Sequence, residues 1–307
     1  MISIKDYAEK KCGFASGHRS CSGCAFPIII RNVLKAAKDP LVISLATGCM
    51  EVTTTIFPQS SWQVPTIHNT FLNSASTISG VERAYESLKR KGKIKKEIKF
   101  LAFGGDGGTY DIGLQALSGA LERGHDFVYV LYDNEAYCNT GGQRSSASPL
   151  GSNTTTEPVG KVHNGKKTFK KDITKIVVAH NIPYVAQAAV HNWSDLYNKA
   201  EKAFSIKGPA FINVFSPCEL NWKMDPSMTI KVSKLATETK FWPLYEVENG
   251  NYKLSYNPPK DVPVEEYLKT QGRFKHLLSE ENKPTLQKIQ GHIDSEWEKL
   301  LKLCGIK

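Results

Sequence analysis

Five unbroken apolar runs, separated by segments of helical periodicity, constrain this chain more than any other feature. They are PLVISLATG (Pro40 to Gly48), IKFLAFGG (Ile98 to Gly105), DFVYVLYDN (Asp126 to Asn134), IPYVAQA (182–188) and PAFINVFSP (Pro209 to Pro217). Each is too short to cross a membrane and too continuous for a strand with one wet face. Strands covered on both faces read this way. The intervening segments supply the covers: a helix from Pro27 to about Lys38, one from Asn73 to Gly92, and one from Asp111 to Gly124 with Leu114, Leu117 and Leu121 on one face. TKIVVAHN and SDLYNKAEKAFS add two more. The expected fold is α/β, a mostly parallel sheet with helices on both faces, over residues 1–230. Residues 231–307 change texture. The Pro-rich NPPKDVP and the charged amphipathic stretch Ser279 to Leu303 suggest an extension that packs on the core or on a partner subunit.

The chain has 307 residues, 40% apolar and 23% charged, which suits a soluble globular protein. No apolar run approaches the roughly 18 residues of a membrane helix, and the start, MISIKDYAEK, lacks the apolar stretch of a secretory signal. A cytoplasmic protein with no membrane contact is expected. The net charge of +10 gathers in KRKGKIKKEIK (Lys89 to Lys99) and KVHNGKKTFKK (Lys161 to Lys171). These read as two solvated Lys-rich loops, or as a docking face for an acidic partner. Nucleic acid is not expected, since no aromatic stacking platform interleaves with the charge.

The chemistry lies where strands end. In open α/β sheets ligands bind beyond the carboxyl ends of the strands. Four runs end in unusual residues: TGCME with Cys49, GGDGG with Asp106, DNEAYCNTGG with Asn134, and SPC with Cys218. A parallel sheet puts all four on one edge. The glycines around Asp106 allow a phosphate to approach the backbone, and a helix N-terminus follows. Asn134 lies 28 residues beyond Asp106, a pairing that is similar to the thiamine diphosphate motif, in which an Asp, an Asn and a carbonyl hold Mg²⁺. A dinucleotide turn is the alternative, although G-x-G-x-x-G with a later acid is missing.

The C-x-x-C pair Cys21 and Cys24 fits zinc, thioredoxin-type redox chemistry or an iron–sulfur site. No strong strand precedes it, as thioredoxin chemistry wants, and structural zinc sites usually repeat the short spacing. Cys49 and Cys218 are single thiols on the cofactor edge, where a redox group gains from its position. That favours a [4Fe–4S] cluster on four thiolates. Of the other residues, Cys12 and Cys304 read as incidental thiols and Cys138 as a small packing residue. His68 is expected after a strand as a hydrogen-bonded structural residue, with substrate contact the alternative. His18 lies near the thiols or on the surface. His125 is expected to stabilise a helix end, and Trp62 to lie in the core or an interface.

Together CSGC, ATGCMEV, WQVPTIHNTFLNSA, FGGDGGTYDIGLQALSGALERGH, YDNEAYCNTGGQRSSASP and SPC resemble the β chain of pyruvate:ferredoxin oxidoreductase, a 2-oxoacid:ferredoxin oxidoreductase. The resemblance covers about residues 15–245, with motifs in the same order and spacing. It implies a thiamine diphosphate-binding fold and the CoA-dependent, reversible oxidative decarboxylation of pyruvate to acetyl-CoA and CO₂, with electrons passing through [4Fe–4S] to ferredoxin. The same chemistry on 2-oxoglutarate, a branched 2-oxoacid or oxalate is the near alternative; a non-catalytic Cys₄ zinc or electron-transfer protein is the distant one. By position, the resemblance makes Cys21, Cys24, Cys49 and Cys218 the cluster ligands, and Asp106, Asn134 and the Ala136 carbonyl the Mg²⁺ ligands. Gly105, Gly107 and Gly108 match the diphosphate turn, Thr47 and Gly48 flank the cofactor with Cys49, and Asn139 matches an active-site amide. Gln143 and Arg144 fall near the site, and Phe26 departs from the polar character common there. A carboxylate on the thiamine pyrimidine is missing, so an α subunit is expected to supply that Glu. With no second C-x-x-C-x-x-C run, further clusters belong to other chains: a γ and a ferredoxin-like δ subunit are the implied partners.

Overall fold

A computed structural model of the chain describes residues 2–306. The five apolar runs become β1 (Leu41–Ala46), β3 (Lys99–Gly105), β4 (Val128–Asp133), β5 (Tyr184–Ala189) and β6 (Ala210–Phe215). A further strand, β2 (Thr66–Asn69), sits on the sheet edge, so His68 lies within a strand rather than after one. TIHN is short and polar because its outer edge faces no neighbour. All six strands run parallel, in the order β2-β1-β3-β4-β6-β5.

Continuous apolar sequence in these strands reflects burial on both faces. Side chains alternate across a strand. In β3 and β4, Leu101, Phe103, Val128, Val130 and Tyr132 enter one core, while Phe100, Ala102, Tyr129 and Leu131 enter the other. The helices Phe26–Ala36 and Trp193–Ser205 cover the first face. Ser74–Arg90 and Leu114–Glu122 cover the second. None of the described helices is long and apolar enough to cross a membrane.

After residue 230 the sheet continues. The hairpin β7 (Tyr245–Glu248) and β8 (Asn251–Leu254) adds two antiparallel strands beside β5. The helix Lys283–Leu303 packs Trp297 and Leu300 against the second core. Trp222, Trp242, Tyr267, Phe274 and Leu277 form a third core.

Several local expectations change in the structure. The segment after β3 turns helical at once, as a π-turn over Gly107–Asp111, before the α-helix begins at Leu114. Thr109 Oγ1 donates to the Gly105 carbonyl at 2.7 Å and pins that early turn. His125 does not cap a helix: it is buried, 2.8 Å from Glu82. The first Lys-rich run is exposed, with Lys89 paired to Glu97. The second is exposed over most of its length but turns inward at Gly165 and Lys166. Lys166 is 2% exposed and donates to the Ser148 and Phe169 carbonyls, because that segment closes the back of the loop after β4.

His191, just past β5, lies 3.2 Å from Ser233 Oγ and is mostly buried. Burial, then the nearby Lys234 charge, pushes its pKa down to about 4. The unfolded chain therefore takes up this proton first as pH falls below about 6.5. Stability from this group is complete above that pH and is lost as pH falls towards 4. Denaturant unfolding at pH 7 and pH 4 should show His191→Gln losing less stability than wild type, by up to about 3 kcal/mol.

Candidate functional site

Strand order decides where a ligand can sit. From β1 the chain moves outward to β2, then returns across to β3 on the other side. The crevice at such a reversal lies beyond the carboxyl ends of β1 and β3. A cavity of about 210 Å³ opens there. Thr47, Gly48 and Cys49 line it from β1, Gly105, Asp106 and Gly107 from β3, and Asn134, Ala136 and Asn139 from the loop after β4. Phe71, Tyr132 and Tyr137 supply its aromatic wall. Gly108 is buried but sits one step behind the lining. A side chain on Gly107 would overlap the Tyr137 ring, so only glycine leaves this wall open.

Asp106 is the carboxylate of this cavity and is 2% exposed. Burial, and then the neighbouring Asp133, pushes its pKa well up, while a hydrogen bond donated by Ser145 Oγ opposes them. One end of the Asn134 amide lies 2.8 Å from Asp106 Oδ1 and 2.9 Å from the Ala136 carbonyl oxygen. With the amide nitrogen there, it donates to both. With the amide oxygen there, three oxygens face one another, an arrangement that a proton on Asp106 or a cation at the site relieves. Octahedral Mg²⁺ holds oxygens at about 2.0–2.1 Å, which puts adjacent ligands about 2.9 Å apart. The two distances from the Asn134 amide match that ligand separation.

A second cavity of about 530 Å³ adjoins the first. Cys21, Cys24, Cys49 and Cys218 all line it. Cys21 and Cys24 lie on the loop entering the helix Phe26–Ala36, Cys49 begins the helix Cys49–Thr54, and Cys218 caps Glu219–Trp222. Gly23, between the first two thiols, has φ +80, and a Cβ there would clash with the Pro226 carbonyl. Thr229 Oγ1 donates to Gly23 O at 2.6 Å and ties the same loops together. Phe26, the departure from polar character, forms an apolar wall.

Burial raises three of the thiols. Cys49 is pushed up to about 12, with the Cys218 and Cys21 charges adding to desolvation. Cys24 goes higher still, and Cys21 rises less. Cys218 is lowered by a hydrogen bond from Cys138. Thiols raised this way stay protonated unless a metal centre stabilises the thiolates. Among the described residues no three His, Cys, Asp or Glu side chains close around one ion. The thiols ring a cavity instead of forming the compact tetrahedron of a single zinc.

Cys49, Asn134, Cys138 and Asn139 line both cavities and form the wall between them. Cys138 is thus more than a packing residue; its Sγ also donates to the Asn134 carbonyl at 3.7 Å. Asn139 is exposed at the shared rim. Gln143 and Arg144 line neither cavity; Gln143 braces Thr140 and Arg144 faces Glu157. His68 pairs with the buried Glu51 at 3.1 Å and lies 3.5 Å from Thr47 Oγ1. Sequence reasoning missed Ser145, Glu51, Glu219 and the aromatic wall. All of these lie within or beside the quoted motif strings, Glu51 in ATGCMEV, Phe71 in WQVPTIHNTFLNSA, Tyr132, Tyr137 and Ser145 in YDNEAYCNTGGQRSSASP and Glu219 just after SPC, but nothing in the strings marks them out from their neighbours.

Known proteins are similar to this chain in sequence and fold. The family model described as thiamine pyrophosphate enzyme, C-terminal TPP binding domain, matches residues 46–214. The chain is 52% identical to pyruvate synthase subunit PorB of Thermotoga maritima, over 98% of this chain and 96% of that one. It is 43% identical to ketoisovalerate oxidoreductase subunit VorB of Pyrococcus abyssi, over 95% and 94%. In fold it is similar to a 2-oxoglutarate:ferredoxin oxidoreductase from Magnetococcus marinus, solved with 2-oxoglutarate, coenzyme A and succinyl-CoA bound. That match has a TM-score of 0.56 and 18% identity, over 76% of this chain and 81% of that one.

The three-oxygen arrangement predicts a metal effect on stability. Mg²⁺ added to wild-type chain should raise its unfolding free energy, by about 2.7 kcal/mol at a hundredfold excess over Kd. Asp106→Asn removes a buried carboxylate, so it should unfold no more easily than wild type without metal and gain nothing from Mg²⁺. An equal Mg²⁺ effect in both proteins, read by urea titration, contradicts the assignment.

Proposed function

The chain belongs to the family of pyruvate synthase PorB subunits, within the thiamine pyrophosphate enzymes, and from that membership we propose that it is the cofactor-holding β subunit of a cytoplasmic pyruvate:ferredoxin oxidoreductase. In this reading the smaller cavity takes the diphosphate end of thiamine diphosphate. Mg²⁺ rests on Asp106 Oδ1, the Asn134 amide oxygen and the Ala136 carbonyl. The larger cavity takes a [4Fe–4S] cluster on Cys21, Cys24, Cys49 and Cys218. The observation that carries the reading is the shared wall of Cys49, Asn134, Cys138 and Asn139.

When bound, thiamine diphosphate supplies an electron sink for the carbon exposed as a 2-oxoacid loses CO₂, and the cluster takes electrons one at a time. The chain's own residues do the positioning. Gly105, Gly107 and Gly108 let the backbone approach the diphosphate, and the three oxygens fix it through the metal. Thr47 and Gly48 close the β1 side. Asn139 holds its amide at the rim of both cavities, where the reacting end of the cofactor meets substrate. Cys49 would be a cluster ligand while it also borders the smaller cavity, so its side chain would stand between the two groups.

Asp106 is the sole carboxylate lining the smaller cavity among the described residues, and the metal takes it. The acid that activates the pyrimidine therefore comes from a partner α subunit. Coenzyme A accepts the acyl group. Ferredoxin accepts the electrons, through clusters on a δ subunit, and a γ subunit completes the assembly. A branched 2-oxoacid is the second reading, favoured by the VorB relative that spans nearly the whole chain; substrate selection then rests with the partner.

Anaerobic reconstitution tests the assignment. Wild-type chain should carry about four irons and four sulfides with absorbance at about 400 nm. Cys218→Ser should lose them and keep Mg²⁺-dependent thiamine diphosphate binding, while Asp106→Asn does the reverse. Turnover of pyruvate with coenzyme A should require the partner subunits. One zinc without sulfide, or full turnover by this chain alone, sinks the proposal.

A further inference from the structure

Glu135 stands between Asn134 and Ala136, the two loop residues whose oxygens face Asp106. Its backbone φ is +62, a region that non-glycine residues enter only when their surroundings hold them there. Those surroundings are specific. The Glu135 carboxylate is fully buried, with Oε2 accepting from Arg273 Nη2 at 2.6 Å and Oε1 from Lys170 Nζ at 3.1 Å. The same ammonium reaches Asp133 Oδ2 at 2.7 Å, and Tyr110 OH donates to that oxygen at 2.5 Å. Both carboxylates that flank Asn134 in sequence are thus tied to two cations from distant segments.

Arg273 is itself held on every side. It is 2% exposed. Its Nε donates to Gln271 Oε1 at 2.9 Å, and Nη2 lies 3.3 Å from Tyr267 OH. The guanidinium lies 3.7 Å over the Trp222 ring. Trp222 Nε1 in turn donates to the Asn134 carbonyl at 2.9 Å. The loop is gripped through Asp133, the Asn134 carbonyl and Glu135. Two carboxylates against two cations leave the network neutral and hydrogen-bonded, the condition under which a buried ionic cluster is tolerated. Apolar residues would fill the space as well; what they lack is direction.

We propose that Arg273 and Lys170 are positioning residues for the cofactor, clamping Glu135 in its left-handed conformation so that the Asn134 and Ala136 oxygens face Asp106 before any metal arrives. The C-terminal segment then belongs functionally to the cofactor site, although it lines no part of the smaller cavity. Loosening the clamp lets Glu135 relax and swings the Ala136 carbonyl away. The loss appears in metal and diphosphate affinity, not in turnover once the cofactor is bound.

This inference rests on the reading that Asp106, Asn134 and Ala136 hold Mg²⁺. The test uses the full complex carrying Arg273→Lys or the isosteric Glu135→Gln, with the exposed Lys269→Met as control. Mg²⁺-dependent thiamine diphosphate binding is measured at equilibrium after cofactor removal. Each clamp variant should bind about 10–100-fold more weakly, as loss of an outer-shell partner does, with turnover at saturating cofactor and iron content near wild type. The control should not change. Wild-type affinity in both variants, even with a lowered melting temperature, overturns the clamp. So does failure of both to assemble, which would make the pair a folding element only. A wild-type complex that binds no thiamine diphosphate would instead overturn the metal-site reading beneath it.

Discussion

A carboxylate buried against other oxygens keeps its charge only where something positive completes it, and the position of Asp106 is the constraint on which the reading of this chain depends. Asp106 sits at the end of β3 with Asn134 and the Ala136 carbonyl turned towards it. Desolvation and the nearby Asp133 both oppose its charge. Sheet topology puts it there: the return from β2 to β3 opens the crevice, and β4 delivers its loop to the other side. The two cores flanking the strands bury β3 and β4 on both faces and so fix the ends that carry Asp106 and Asn134.

The second constraint is proximity. Four thiols from three separate parts of the chain meet around one cavity, and Cys49 belongs to both that cavity and the smaller one. Burial keeps three of these thiols protonated on their own, which is not the state of a reactive cysteine. On the proposed reading the site is incomplete: Asp106, the one carboxylate lining the smaller cavity among the described residues, would be a metal ligand, and a partner would bring the second acid.

The strands and the strings at their ends were legible because both are local. Unbroken apolar sequence marks β1, β3, β4, β5 and β6, and glycines beside Asp106 announce close backbone approach. What escaped depends on contacts between distant segments. The edge strand β2 is four residues long and carries His and Asn. The β7–β8 hairpin is an exception, since Asn249-Gly250 between the alternating YEVE and NYKL is a local turn signal that the reading of the C-terminal segment passed over. Lys166 and Lys170 read as part of a solvated charge run because their partners, Ser148, Asp133 and Glu135, lie elsewhere in the sequence. Arg273 could not be singled out at all: nothing near it in sequence signals a buried guanidinium joined to a loop 138 residues earlier. Cys138 was set aside as packing, and its place in the dividing wall follows only from the turn that brings Asn134 and Asn139 together.

The central claim is that cofactor and cluster occupy two cavities separated by one wall. An anaerobic crystal structure of the assembled complex, with anomalous diffraction recorded across the iron edge, tests it most directly. The account predicts iron density centred among Cys21, Cys24, Cys49 and Cys218, with a metal-bound diphosphate over Asp106 on the far side of Cys49 and Cys138. A single zinc among the thiols, or a diphosphate lying away from Asp106, would contradict it.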